Sequence, residues 1–239
     1  LFFITYTYAT VRFKDFDLFC FCQLSFARLN RILKVAVPIM MQSFLSLSVW
    51  FVFFLFIEKL GESSLAVSNI IRSIFVVLMM PIWGFSTATN TLVSYLLGQN
   101  RGEEVMSLIF KIVRLCFLGV LAIVSIGVIF PEYVLGIYTD STSLIELGIP
   151  ILNVVSIGAL SLSIGFIFFN GVSGTGKTNI SLMIEIIILI IYVSYAYAMV
   201  YIFDTQIAGV WTTEILYGIL LALFSFIYLK SDHWKSSQV

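Results

Sequence analysis

Charge is scarce in this sequence: lysine, arginine, aspartate and glutamate make up 11% of it, against about 25% in a soluble globular domain. Thirteen basic and thirteen acidic residues cannot coat a water-soluble fold of 239 residues. Their balance also leaves no basic face for a nucleic acid or another polyanion. Histidine is nearly missing. The single one, His233, follows the last apolar run, so catalysis or metal binding by clustered histidines is excluded. Cysteine is limited to Cys20, Cys22 and Cys116, an odd number without the spacing of a structural zinc site. With no histidine near them, Cys20 and Cys22 read as reduced thiols rather than as a soft-metal pair. No cofactor and no metal are expected.

What the chain has in abundance is hydrocarbon: 60% of its residues are hydrophobic and the mean hydropathy is +1.07. Crossing the apolar core of a bilayer as a helix takes roughly 20 apolar residues. Six runs of that size occur, at 35–57, 65–97, 105–130, 144–169, 180–203 and 207–229. The second exceeds one simple crossing, but Pro81 within it suits a single long, bent helix supported by neighbours. The expected fold is therefore all-α, a polytopic membrane helical bundle of six transmembrane helices.

Basic residues sort across these crossings. Arg12, Lys14, Arg28, Arg31, Lys34, Arg101, Lys111, Arg114, Lys177, Lys230 and Lys235 fall on one side, and only Lys59 and Arg72 on the other. Lysine and arginine collect on the cytoplasmic side, so both ends of the segment are expected there, in a cell inner membrane. Residues 1–10 are apolar and lack the basic start and small-residue cleavage site of a signal peptide. They read as the end of an upstream transmembrane helix, followed by a cytoplasmic linker to residue 34. The six-helix unit then occupies 35–230 and a cytoplasmic tail 231–239.

One motif points elsewhere. Residues 171–178 read GVSGTGKT and satisfy the GxxxxGK(S/T) pattern of a phosphate-binding loop. Such a loop needs a buried strand before it and an α/β domain around it, whereas membrane runs flank this one on both sides. A glycine-rich turn between helices, with Lys177 following the charge rule, is the expectation. A membrane ATPase remains the remote alternative.

Polar side chains at membrane depth are costly and usually face a bundle interior or a watery cavity. Arg72 and Asn90 lie eighteen residues apart, five turns of helix, and Asn69, Trp83, Ser86 and Thr87 fall near the same line. Gln42, Ser46 and Phe53 share a face of the first run, with Trp50 at its edge. Asn153, Ser156 and Asn170 mark the fourth. Glu185 and Glu214 are the carboxylates set inside runs, either able to reach an interface. For Asn69, Arg72 and Asn90, helix-to-helix hydrogen bonding and a transport pathway stay open as alternatives; for the isolated serines bonding is favoured.

The segments ILKVAVPIMMQ (32–42), EKLGESSLAVSNIIRS (58–73), PIWGFSTATNTLVSYLLGQNRGEE (81–104) and NGVSGTGKTN (170–179) together resemble the multidrug and toxic compound extrusion (MATE) transporters. The last resembles that family's GxxxGxGxT turn. The resemblance implies twelve helices in two six-helix lobes, with this chain on helices seven to twelve. It also implies efflux of small organic, often cationic compounds in exchange for protons or sodium ions, by alternating access. The partners would be membrane lipid and an N-terminal six-helix lobe. Gln42, Ser46, Trp50, Asn69, Arg72, Trp83, Asn90 and Asn170 become candidates for the substrate and ion pathway, and Glu185 and Glu214 candidate ionisable groups within the membrane.

Some members carry carboxylates at places that fall near Ser46 and Leu162 here, and neither is acidic. That shifts the expected coupling acid to the first helix of the other lobe, and Arg72 to a carboxylate of that lobe. The alternative within the same superfamily is an exporter or flippase of polysaccharide or lipid-linked polymer. Its cavity would need several arginines and lysines.

Overall fold

The computed structural model describes residues 5–6, 25–231 and 234. The stub at 1–10 apart from residues 5 and 6, Cys20, Cys22, His233 and most of the tail lie outside the described residues. Seven helices with defined bounds follow: α1 (Phe26–Glu58), α2 (Glu62–Gly98), α3 (Val105–Ile129), α4 (Pro131–Gly136), α5 (Thr142–Gly174), α6 (Thr178–Tyr201) and α7 (Ile207–Lys230), with a 3-10 turn at Gly102–Glu104 before α3. Six are long and apolar enough to cross a membrane. Without water to take up backbone N–H and C=O groups, helices satisfy them internally; long stretches of Leu, Ile, Val and Phe fold this way for that reason.

Two boundaries differ from the sequence reading. α1 starts at Phe26, so residues 26–34, expected as linker, are helical. The short α4 with Pro131 at its first turn lies in the stretch between the third and fourth runs, where no element was expected. Proline is suited to that position because the first N–H groups of a helix are unpaired anyway. Pro81 lies inside a continuous α2 of 37 residues, as one long helix requires. At about 1.5 Å per residue α2 runs well beyond the roughly 30 Å hydrocarbon core.

The GVSGTGKT segment is the junction of α5 and α6. α5 continues through Gly174, Gly176 takes the left-handed φ of 78° that closes the turn, and α6 begins at Thr178. The amides of 171–174 belong to a helix rather than to a phosphate cradle. A Cβ on Gly171 would lie 2.7 Å from Ile109 Cδ1, and one on Gly174 2.8 Å from the Asn90 carbonyl. These glycines let α5 approach α3 and α2.

α5 is the axis of the lobe, packed against α7, α2 and α3. Its crossing with α7 is made backbone to backbone. A Cβ on Gly165 would fall 2.5 Å from the Gly218 carbonyl, and one on Gly218 2.7 Å from the Leu162 amide nitrogen. Small residues permit this approach in membrane helices, where association rests on packing rather than on expelling water. α1 lies on the opposite flank, against α6 and only lightly against α2. Val37, Met40, Phe44, Leu47 and Phe51 on it are exposed.

Candidate functional site

Glu185 and Glu214 are each seven residues into their helices, α6 and α7, about 10 Å along the axis. Consecutive spans run in opposite directions, so the two carboxylates start from opposite sides of the membrane. Both are buried, at 1% and 3% exposure. Each helix also carries a tyrosine near the phase of its acid: Tyr192 two turns after Glu185, and Tyr217 one turn after Glu214. Cross-pairing follows. The Tyr217 hydroxyl donates to Glu185 Oε1 at 2.7 Å, and the Tyr192 hydroxyl to Glu214 Oε1 at 2.8 Å. The two rings meet edge to face, 5.7 Å apart.

Helix α1 joins this ladder through Ser46, whose hydroxyl lies 2.5 Å from Glu185 Oε1. The Trp50 side chain lines the same cavity as Glu214. Phe53 packs against Trp211 and Tyr192 at 5.3 and 5.8 Å, and Trp50 stacks on Phe75 at 6.2 Å. The Trp211 indole donates to Ser68 at 3.2 Å, which ties α7 to α2.

These side chains bound a cavity of about 480 Å³. Glu185, Glu214, Gln42, Ser46 and Ser43 form its polar wall, with Tyr192 and Tyr217; Trp50, Trp83, Phe75, Phe166 and Phe169 are aromatic, and among the described residues no lysine, arginine or histidine lines it. Glu185 Oε2 and Gln42 Oε1 are buried there without a hydrogen-bond partner. Of the nearby hydroxyls, those of Ser46, Tyr192 and Tyr217 are directed at carboxylates and that of Ser43 at the Ile39 carbonyl. The cavity thus presents two carboxyl groups and free acceptors inside an aromatic wall, a combination suited to a poorly hydrated cation.

Of the sequence candidates, the structure brings Gln42, Ser46, Trp50, Trp83, Glu185 and Glu214 to this one cavity. Asn69, Asn90 and Asn170 do not line it. Asn69 and Asn170 donate to carbonyls of their own helices, Leu65 and Phe166, both at 3.0 Å. Arg72 is exposed, its guanidinium 5.2 Å over the Phe54 ring, in a neighbouring hollow shared with Trp50. Ser46 and Leu162, where the resemblance would place acids, both line the cavity, and carboxylates arrive there from α6 and α7 instead. Tyr192 and Tyr217 were not singled out in the sequence. Their spacing from Glu185 and Glu214 was the available signal.

Comparison with known proteins agrees with this architecture. The MatE family model matches residues 38–198. The "Probable multidrug resistance protein NorM" of Thermotoga maritima is 25% identical over 214 residues, covering 88% of this chain and 46% of that protein.

Among solved structures, a MOP superfamily transporter of Pyrococcus furiosus, described as having a binding pocket of reverse polarity that suggests a different function, superposes with a TM-score of 0.84. The identity is 21%, over 99% of this chain and 54% of that one. The outward-facing conformation of a multidrug resistance MATE family transporter gives 0.81 at 19% identity, over 96% of this chain and 52% of the other. The chain spans about half the length of the relatives it matches and corresponds to one six-helix lobe. It is an integral membrane protein and not an enzyme. With the family model matching two thirds of its length, the chain belongs to the MatE family of membrane transporters.

Proposed function

We propose that the chain is the C-terminal lobe of a secondary active transporter that exports organic, often cationic compounds in exchange for protons or sodium ions. The observation that carries this reading is the pairing of two buried carboxyl groups, Glu185 and Glu214, in one aromatic cavity that no basic side chain lines among the described residues. An ionised carboxylate in an apolar wall needs a counter-cation. An organic cation and the coupling ion would compete for the same oxygens. Exclusive occupancy by one or the other is what exchange requires: each cation favours the state that binds it better, and alternating access follows.

On this reading Glu185 replaces, from α6, an acid that α1 lacks at Ser46. The complementary N-terminal lobe supplies the other wall, both ends of the segment face the cytoplasm of a cell inner membrane, and no cofactor is required. Cells expressing the lobe together with its complementary half should accumulate less of an ethidium-like dye than control cells. Collapsing first the proton and then the sodium gradient identifies the coupling ion. Dye exclusion that survives both would refute the exchange mechanism.

The likeness to the P. furiosus transporter of reverse pocket polarity favours a second reading, export of an anionic or lipid-linked cargo. Arg72 lines the adjoining hollow, which shares Leu47 and Trp50 with the cavity. Binding of an anionic rather than a cationic probe, lost in Arg72→Gln, would select it.

A further inference from the structure

α3 contributes nothing to the transport cavity, yet it carries a second site. Near its start, Ser107, Lys111 and Arg114 follow one another at four and three residues, a spacing that stacks side chains on one helix face. All three are exposed. Lys111 and Arg114 are about 9 and 14 Å along the helix from Val105, inside a span apolar and long enough to cross a membrane.

Two shallow cavities meet on this face. One, of about 290 Å³, is bounded by Leu92, Tyr95 and Leu96 of α2 and by Arg101, Glu104, Ser107, Leu108 and Lys111. The other, of about 370 Å³, is bounded by Ser107, Phe110, Lys111 and Arg114.

The charges here do not cancel. Arg101 is fully engaged: it donates to both Glu104 carboxylate oxygens at 2.6 and 2.7 Å and to Gln99 at 3.1 Å. That is the one ion pair among the described residues. Glu104 also attracts Lys111, but its two oxygens already hold Arg101. Lys111 and Arg114 therefore bring two positive charges, neither in an ion pair among the described residues, to a lipid-facing crevice. Flanking them are the Ser107 and Tyr95 hydroxyls, and beside these the apolar Leu92, Leu108 and Phe110. Cations at that depth reach toward the interface and are stabilised by anionic headgroups.

We propose that this crevice between α2 and α3 binds the phosphate of an anionic phospholipid. Lys111 and Arg114 contact the phosphate oxygens, the Ser107 and Tyr95 hydroxyls donate to them, and Phe110 and Leu92 flank the first part of an acyl chain. The leaflet is the one in which the basic residues of the chain collect. A free phosphate ion offers the same oxygens but no chain for the apolar flank.

The test uses the full chain in nanodiscs of phosphatidylcholine doped with phosphatidylglycerol, followed by native mass spectrometry of retained lipids. The wild type should retain phosphatidylglycerol preferentially. K111Q/R114Q should lose that preference by roughly thirtyfold, about fivefold for each cation near the surface, with an unchanged helical circular dichroism spectrum. Lys177→Gln, which removes a basic residue of the same side outside the crevice, should keep it. Excess inorganic phosphate should leave the retained lipid in place. Equal retention of the two lipids by the wild type, or an undiminished preference in K111Q/R114Q, would overturn the proposal. Full displacement by inorganic phosphate would assign the site to a soluble anion and overturn the lipid.

Discussion

The α5/α7 crossing and the α1 limb are both apolar helix surfaces at membrane depth, yet they are built on opposite plans. The central α5 is buried along much of its length, whereas most of α1 is exposed or half-buried. At the crossing, Gly165 and Gly218 bring two backbones into contact, and nothing there can shift without a clash. α1 is held by side-chain contacts: the Ser46 bond to Glu185, Phe53 with Tyr192 and Trp211, Trp50 with Phe75, and Phe56 with Tyr197 and Tyr201. Packing of the first kind makes a rigid body. Attachment of the second kind makes an element whose position depends on what happens at Glu185.

The largest effect should come from breaking the rigid side. Gly218→Leu places atoms where the Leu162 amide and the Ser161 side chain already are, and overpacking of this kind costs about 3 kcal/mol. A marked fall in the thermal unfolding midpoint in detergent is expected; an unchanged midpoint would mean the crossing is not tight. Next is the charge at the cavity. Glu185→Gln keeps the shape and removes the anion, and a charge-assisted contact of this kind is worth roughly tenfold or more in binding. Dye efflux should fall by that factor while the unfolding midpoint stays close to the wild type.

A smaller effect tests what covers the α1 limb. Arg72→Glu should lower recovery of the complementary lobe in co-purification, and recovery at wild-type levels would remove Arg72 from the contact between lobes. Ser46→Ala deletes one hydrogen bond to a carboxylate, worth about 2 kcal/mol. Hydrogen exchange should quicken in α1 and stay unchanged in α5; equal changes in both would erase the distinction drawn above. Smallest of all is Lys177→Ala at the α5/α6 turn. It should alter stability by no more than about 0.5 kcal/mol and leave transport intact, whereas complete loss of transport would restore the nucleotide reading of GVSGTGKT.

The crossings were legible because each needs a run of about 20 apolar residues, and the chain interrupts such runs with Gly61, Asn100, Gly176 and Asp204, all at positive φ in the structure. The cavity was legible only in pieces. Helical spacing assigns residues to a face of their own helix, but not the rotation of that helix against its neighbours. Arg72, Trp83 and Asn90 share a line on α2, and the structure sends Trp83 to the cavity, Arg72 to the next hollow and Asn90 to neither.

Asparagines read as pathway residues could equally bond their own helix, and Asn69 and Asn170 do. Ser46 looked like a missing acid because its partner, Glu185, is 139 positions away in the sequence. The tyrosines went unmarked since an aromatic in an apolar run has no polar signature until its hydroxyl finds an acceptor.

The crossed bonds of Glu185 with Tyr217 and of Tyr192 with Glu214 also fix a register. Each helix supplies one acid and one hydroxyl, so sliding α6 along α7 by a single turn, about 5.4 Å, breaks both crossed bonds at once, leaving Glu214 without its tyrosine donor and Glu185 with Ser46 in place of two donors. The five residues at 202–206 that join these helices permit no compensating excursion. α6 and α7 must therefore travel as one hairpin. A shear of α1 against that hairpin breaks the Ser46 bond to Glu185 and leaves the crossed pair latched.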